Sequence, residues 1–356
     1  MTRMLALVSD AFGSGGGIAQ YNRDFLEAAV SISAITGIEI LPRHASKKFS
    51  LPAKLLQAAP GENRIAYILR ALIMGITCKA GIVFCGHINL APLAAAVARL
   101  SGARLVLQLH GIEAWQRPSQ NVRRAVEAAD LVLCVSRYTR AKLLSWAAME
   151  PEQVVVLPNT VGDVFSPGDA ASLRATWGLE GKKILLTVAR MSAAERYKGH
   201  ERVIAEMPAL GSEFVYVVLG SGDDMERVKD VARKHGVADR VLFKGEVGRD
   251  VLIDAYRLAD FYVMPSTGEG FGIAFLEAMA SGTPALGLAM AGACDALADG
   301  ELGIAATDEN FGPELARLSR QNTQNGAVLA DAVRRRFGRD MFVRNVQSVL
   351  NKLLAA

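Results

Sequence analysis

Cysteine is scarce in this sequence, and what there is has no pattern. The 356 residues hold four, Cys78, Cys85, Cys134 and Cys294, with no Cys-x-x-Cys spacing. That argues against a disulfide framework or a zinc site and suits a reducing cytoplasm. Asp-x-Asp occurs nowhere, so a diphosphate held through a metal is not expected, and no metal or other cofactor is called for. No arginine-rich or aromatic-interleaved tract is present, which argues against a nucleic-acid partner. Long apolar runs are also missing. The greasiest region, Ile65 to Leu100, is interrupted by Arg70, Lys79, His87, Asn89 and Pro92, so it reads as helix, strand, helix and not as a membrane span of about 20 residues. Met1 to Asp10 moves straight into a strand without the apolar core or cleavage site of a signal peptide.

What is present describes a globular protein. Hydrophobic residues make up 51% and charged residues 21%, which excludes a disordered chain. The length is too great for one ordinary core and fits two domains. Net charge is +4, but residues 1–163 carry +6 and residues 164–356 carry −2. A basic first half suits anionic lipid or an acidic acceptor, and a plainly solvated surface is the alternative.

Short apolar runs alternate with helical patterns throughout, which predicts an α/β fold with parallel sheets. In the first half, strands are expected at 4–8, 38–41, 82–85, 105–109, 131–135 and 154–157. In the second half they are expected at 184–188, 214–219, 241–243, 261–264 and 284–288, with a short one near Ile304. Each half then resembles a doubly wound unit. Pro, Asn, Gly, Ser and Asp cluster from Pro158 to Gly168, so the domains are expected at 1–163 and 164–338. A last helix is expected over 339–356, with Phe342, Val346, Val349, Leu350, Leu353 and Leu354 on one face. Doubly wound domains bind ligands at the carboxyl ends of their strands, so strand-exit loops are the places to search.

The exit at Pro265-Ser-Thr-Gly-Glu269-Gly270-Phe271-Gly272-Ile273 is the most informative. A Gly-rich turn opens a helix there, with Glu269 on the turn and Glu277 inside the helix. The first amides, from Phe271 to Ile273, are expected to point at an anion. Phosphate donors beside two carboxylates suit a nucleotide-activated sugar. After the first strand, Asp10 to Ala19 carries Gly15, Gly16 and Gly17 in the style of a phosphate loop. A dinucleotide site is disfavoured there, because Ile18 stands where Gly or Ala is needed. His110-Gly111 leaves the strand 105–109 as a candidate hydrogen-bonding or acid/base group, with a satisfied structural histidine as the alternative. His87 reads as structural, and His44, His200 and His235 read as surface residues. Arg190 and Lys198 flank a polar loop and could neutralise a diphosphate, with Arg196 able to share the role. Ordinary surface charge is their alternative. Asp223 and Asp224 read as a helix cap and a first-turn charge.

These residues together resemble the retaining glycosyltransferases of the GT-B fold, family 4. The specific element is the Glu-x7-Glu motif, Glu269 to Glu277, followed by Ala278-Met279 and Ser281-Gly282-Thr283-Pro284. Gly15-Gly16-Gly17, His110-Gly111, Arg190 with Lys198-Gly199, and Gly220-Ser-Gly222 support it. The resemblance implies two Rossmann-like domains facing across a cleft and a C-terminal helix crossing back to the first. It implies a hexose moved from a nucleotide diphosphate sugar, GDP-mannose or a UDP-sugar, to a glycan or lipid-linked acceptor. The setting would be bacterial polysaccharide or glycolipid synthesis, in the cytoplasm or at the inner face of its membrane. By resemblance, His110 and Glu269 are catalytic. Gly16, Gly17, Arg190, Lys198, Gly270, Phe271, Gly272, Ile273 and Glu277 bind donor, and no metal takes part. Three departures stand out: a longer Arg190-to-Lys198 loop, Thr160-Val-Gly-Asp163 after Asn159, and Ala291-Gly292-Ala-Cys-Asp295 where Gly-Gly and Glu are usual. The rivals are a non-hydrolysing sugar-nucleotide 2-epimerase and a non-catalytic sugar-nucleotide-binding protein. The cationic, partly apolar stretch Arg43 to Leu56 is the expected point of peripheral contact with an anionic membrane.

Overall fold

The computed structural model describes residues 2–13, 15–45, 51–61, 63–320 and 326–355. The chain divides into two compact units, Met1–Thr160 with Asp340–Ala356, and Val161–Arg339.

Unit 1 is built on seven parallel strands: β1 Thr2–Val8, β2 Ile35–Pro42, β3 Leu55–Gln57, β4 Ile82–Cys85, β5 Arg104–Leu109, β6 Leu131–Cys134 and β7 Val154–Val156. Their order is β3-β2-β1-β4-β5-β6-β7. The central strands are buried along their length, as expected when helices cover both faces of a parallel sheet. Leu5, Leu7, Val83, Leu107 and Leu109 pack on Ala91, Ala94 and Val97 of the helix Ala91–Ser101. The C-terminal helix Arg339–Ala355 joins this unit from Asp340 onward. Phe342 meets Tyr21 edge-on at 5.7 Å, and Gln347 donates to Ser31 at 3.2 Å.

Unit 2 has six parallel strands: β8 Lys183–Val188, β9 Phe214–Leu219, β10 Val241–Gly245, β11 Phe261–Met264, β12 Ala285–Leu288 and β13 Ile304–Ala306. Their order is β10-β9-β8-β11-β12-β13. Leu185, Tyr216, Val218, Phe261, Val263 and Leu286 fill one side of the sheet.

The two units share a device for fixing register. Asp130, before β6, accepts the Leu105 amide of β5 at 2.8 Å. Asp260, before β11, accepts the Ile184 amide of β8 at the same distance. In each case the carboxylate takes the amide of the second residue of the neighbouring strand and so sets the pairing near its end.

The strand order reverses between β1 and β4 in unit 1 and between β8 and β11 in unit 2. In doubly wound sheets such a reversal is the usual place for a ligand, at the carboxyl ends of the strands. The sequence expectation missed β3, whose Gln57 has a clear job. It exchanges hydrogen bonds with the Phe12 backbone and holds the loop after β1.

Candidate functional site

In unit 2, the reversal point joins the β8 exit to the β11 exit. After β8 the chain runs through Arg190 and the turn Ala193–Lys198 to the helix His200–Glu206. After β11 it runs through Pro265 to Gly272 and into the helix Ile273–Ala280. The two loops are tied together. Thr267 donates its amide to Tyr197 at 3.0 Å. A methyl group on Gly199 would lie 2.6 Å from the Pro265 carbonyl oxygen, so only glycine allows that approach.

This tie brings Lys198 to Glu269. Lys198 Nζ donates to Glu269 Oε1 at 2.6 Å, with the side chains 17% and 9% exposed. Burial pulls the Lys198 pKa down, but the charge and hydrogen bond of Glu269 outweigh it, and the net shift is upward. Lys198 therefore stays charged at any ordinary pH. The carboxylate beside it is fixed in position by the ammonium, and its own backbone carbonyl accepts the Gly292 amide at 2.8 Å.

Gly272 takes a left-handed conformation, φ +97°, and opens the helix Ile273–Ala280. A side chain there would be strained and would strike Phe275. The first helical amides, Ile273 and Ala274, have no preceding turn to bond and face the N-terminal end of the dipole. Phe271 is buried edge-on against Phe337, 5.7 Å away. Gly270 is held through Gly292, whose added Cβ would sit 2.0 Å from the Gly270 carbonyl oxygen. The departure at Ala291-Gly292 thus supports the motif from below.

Glu277 is the fifth residue of the helix. Its Oε2 accepts from Tyr256 OH at 2.8 Å. Burial raises its pKa to about 7, with the Tyr256 hydrogen bond and Arg249 opposing. It is a half-buried acceptor poised between its two protonation states.

The structure separates the two arginines of the β8 loop. Arg190 is 75% exposed and pairs with Glu195. Arg196 is spent elsewhere: it grips Asp224, which Arg227 also binds. Asp224 stands at the start of the helix Met225–Lys234 but makes no side-chain cap; those arginines take its carboxylate instead. Asp223 accepts the Ala193 amide at 2.9 Å and so ties the β9 exit to the β8 loop. Both roles differ from the expected cap and first-turn charge. His200 also differs from expectation. It is 5% exposed, with its ring 3.4 Å from Tyr216 OH and from the Arg190 carbonyl, and burial lowers its pKa. Tyr216 donates to Thr187 at 2.8 Å and Thr187 to the Val263 carbonyl, so a buried polar chain braces the reversal point. The only sequence signal was its place after Lys198-Gly199.

In unit 1, Gly16 caps the helix Gly17–Val30 with φ +105°. Added Cβ atoms on Gly15, Gly16 and Gly17 would meet nothing within 4 Å. His110, after β5, places Nε2 2.9 Å from the Gly86 carbonyl, after β4. A carbonyl only accepts, so Nε2 carries the proton and Nδ1 is left as an acceptor. Burial lowers the His110 pKa, with the Glu113 charge opposing. Glu113 also accepts the His110 and Gly111 amides at 2.5 and 3.2 Å. His87 caps a short turn by accepting the Asn89 amide. Among the described residues, no group of three His, Cys, Asp or Glu is arranged to hold a metal.

Comparison with known sequences accounts for this arrangement. The profile of "Glycosyl transferases group 1" matches residues 169–321, and that of "Glycosyltransferase Family 4" matches residues 19–163. The chain belongs to glycosyltransferase family 4. As a family-4 chain it is 32% identical over 185 residues to a D-inositol 3-phosphate glycosyltransferase of Mycobacteroides abscessus, covering 51% of this chain and 42% of that one. It is 31% identical over 233 residues to a GDP-mannose-dependent alpha-(1-6)-phosphatidylinositol monomannoside mannosyltransferase of Mycobacterium tuberculosis, covering 60% of each. The chain spans about half the length of the curated relatives it matches. In fold it is similar to Anabaena HepE, solved with UDP, at a TM-score of 0.80 and 18% identity over 98% of this chain and 100% of that one. This family-4 chain therefore has the GT-B fold, with one Rossmann-like sheet in each unit.

Proposed function

We propose that this chain is a retaining glycosyltransferase that moves a hexose from a nucleotide diphosphate sugar to a glycan or lipid-linked acceptor. The observation that carries the reading is the Lys198–Glu269 pair at the reversal point of unit 2. Support comes from the named activities of the relatives, and from HepE structures containing UDP and UDP-glucose.

In this reading, Lys198 and the exposed Arg190 face the diphosphate. The amides from Phe271 to Ile273 add fixed dipoles, as does the backbone at Gly16 and Gly17. Charge grows on the leaving diphosphate while the sugar turns oxocarbenium-like, and preorganised donors stabilise it without rearranging. Glu269, oriented by its hydrogen bond from Lys198, takes hydrogen bonds from the sugar hydroxyls. Glu277 takes those of the ribose. On unit 1, His110 offers Nδ1 to a hydroxyl as acceptor. The bond from the anomeric carbon to the phosphate oxygen breaks, and the bond to the acceptor oxygen forms on the same face. The acceptor's proton passes to the departing phosphate, which preserves configuration without a covalent enzyme intermediate. No step draws on a metal. The reading places the protein in the cytoplasm, at the inner face of the membrane, in polysaccharide or glycolipid synthesis.

The test is transfer with a panel of UDP-, GDP- and ADP-sugars on lipid-linked and glycan acceptors, reading the anomeric configuration of the product. A retained configuration supports the proposal. Inversion refutes the mechanism. Conversion of a donor to its 2-epimer without acceptor establishes the epimerase, and donor binding without any turnover establishes the binding protein.

A further inference from the structure

The helix Arg64–Thr77 of unit 1 is apolar on two opposite faces. Its inner face, Tyr67, Ala71 and Gly75, is buried, and Gly75 packs against Val97. On the outer face, Ile65, Leu69, Ile73 and Ile76 are 70%, 55%, 59% and 62% exposed. At about 100° per residue these four and half-buried Leu72 fall within about 100° of the helix wheel, directly opposite the buried face. The stripe is about 16 Å long at about 1.5 Å per residue. A helix apolar all round is normally a buried one. The edge strand β3 leading into it adds Leu56, 63% exposed, and the helix Ala91–Ser101 beside it adds Leu100, 61% exposed.

The sequence around this stripe is predominantly basic. Between Glu39 and Glu113 the sequence holds nine Lys and Arg and one acid, Glu62. Lys54, Arg64, Arg70, Lys79 and Arg99 are all exposed, and the helix itself contains no acid. Arg70 lies about 60° beyond Ile73 on the wheel and Arg64 opens the helix one residue before Ile65, both exposed, with side chains long enough to carry their charge outward. Among the described residues no helix is long and apolar enough to cross a membrane.

We propose that the outer face of the helix Arg64–Thr77 lies on an anionic lipid bilayer, with Ile65, Leu69, Ile73 and Ile76 at the headgroup–acyl boundary and the flanking cations on lipid phosphates. Exposed apolar residues in one stripe mark a contact surface. The basic rim selects anionic lipid from among apolar partners. A second copy of the chain would bring the same cations face to face. The proposal deepens the membrane-side placement above and shifts the contact from Arg43–Leu56, of which residues 46–50 lie outside those described, to the next helix.

The test is flotation of the full chain with phosphatidylcholine–phosphatidylglycerol vesicles, compared with phosphatidylcholine alone, for the wild type and the double variant Leu69→Ser/Ile73→Ser. Both positions are more than half exposed, so the fold should survive, which a melting curve checks. The expected result is salt-sensitive flotation with the anionic vesicles only, reduced about tenfold or more in the variant at unchanged melting temperature. No flotation of the wild type, or equal flotation of the variant, overturns the proposal. So does a wild-type dimer that the variant dissociates without any vesicle binding. Donor-induced melting shifts are read in parallel. If they fail while flotation behaves as expected, the donor reading falls and the lipid surface stands.

Discussion

A methyl group added to Gly15, Gly16 or Gly17, after β1, would meet nothing within 4 Å. One added to Gly222, after β9, or Gly292, after β12, would lie 2.0 Å from a backbone carbonyl. Both units put glycine at the strand exits beside a reversal of strand order, yet for different physical reasons. In unit 2 the glycines let loops interlock backbone to backbone. The Lys198–Glu269 pair and the start of the helix Ile273–Ala280 are thereby set before any ligand arrives. In unit 1, Gly15 to Gly17 leave room around the end of the turn, while its root is tied by Gln57 to Phe12, by Asn22 to Asp10 and by Arg23 to Ala11. The lesson is that the same residue type marks a rigid wall in one unit and an open loop in the other. A preorganised wall binds without an ordering cost, whereas an open loop is ordered by what it binds.

Substitution breaks this comparison most sharply at Gly292. Gly292→Ala should destabilise unit 2 by about 3 kcal/mol, because neither the Gly270 carbonyl nor the added carbon can move away. A denaturant melt checks it; a loss below about 1 kcal/mol would show that the wall is soft.

Next comes Glu269→Gln, read at a temperature where the variant is folded. Transfer should fall about 100-fold, roughly 2.7 kcal/mol of transition-state stabilisation. The Lys198 pKa should fall as well, because burial acts on it without the opposing carboxylate.

The pH dependence of unit 2 gives a smaller effect. Glu277 has a folded-state pKa raised to about 7. Between its unfolded value, near 4.3, and 7 the folded state holds a proton that the unfolded chain has lost, so this group's contribution to stability falls as pH rises through that window. Donor binding should run the other way. The ionised carboxylate accepts hydroxyls better, so affinity should weaken up to about tenfold from pH 8 to pH 6. Both slopes should flatten in Glu277→Gln, as followed by calorimetry across that range.

The smallest effect is expected at Gly17→Ala. Its added carbon meets open space in the first turn of a helix, so stability should change by less than about 1 kcal/mol, in the favourable direction. Any loss of donor affinity in that variant would then report on the loop itself and not on the fold.

The strands and the Glu269-to-Glu277 turn were legible because each is a local pattern: an apolar run ended by glycine, or a Gly-rich exit opening a helix. The β3 strand was not, because Leu55–Gln57 is three residues long and has no alternation to display. The buried place of His200 was hidden for another reason. It depends on Tyr216 and the Arg190 carbonyl, which the sheet brings to it from elsewhere in the chain. The same holds for Glu277, whose raised pKa needs the burial that the fold supplies and whose partner Tyr256 lies on a different helix. The pairing of Arg196 with Asp224 depends on how a six-residue turn rotates. With Arg196 on Asp224 and Arg190 on Glu195, Lys198 is the cation of that loop that pairs with the motif carboxylate. The apolar period of Arg64–Thr77 announced a helix, but only the sheet behind it shows which of its two greasy faces is left outside.

The account stands most directly on whether the Lys198–Glu269 wall holds a nucleotide sugar. Isothermal titration of UDP, GDP, ADP and their hexose conjugates into the wild type and Lys198→Ala decides it, with a melting curve confirming that the variant is folded. The account predicts that at least one hexose conjugate binds the wild type and that the variant loses at least about tenfold in affinity, about 1.4 kcal/mol. Binding of none of the panel by the wild type, or equal binding by the folded variant, would contradict it.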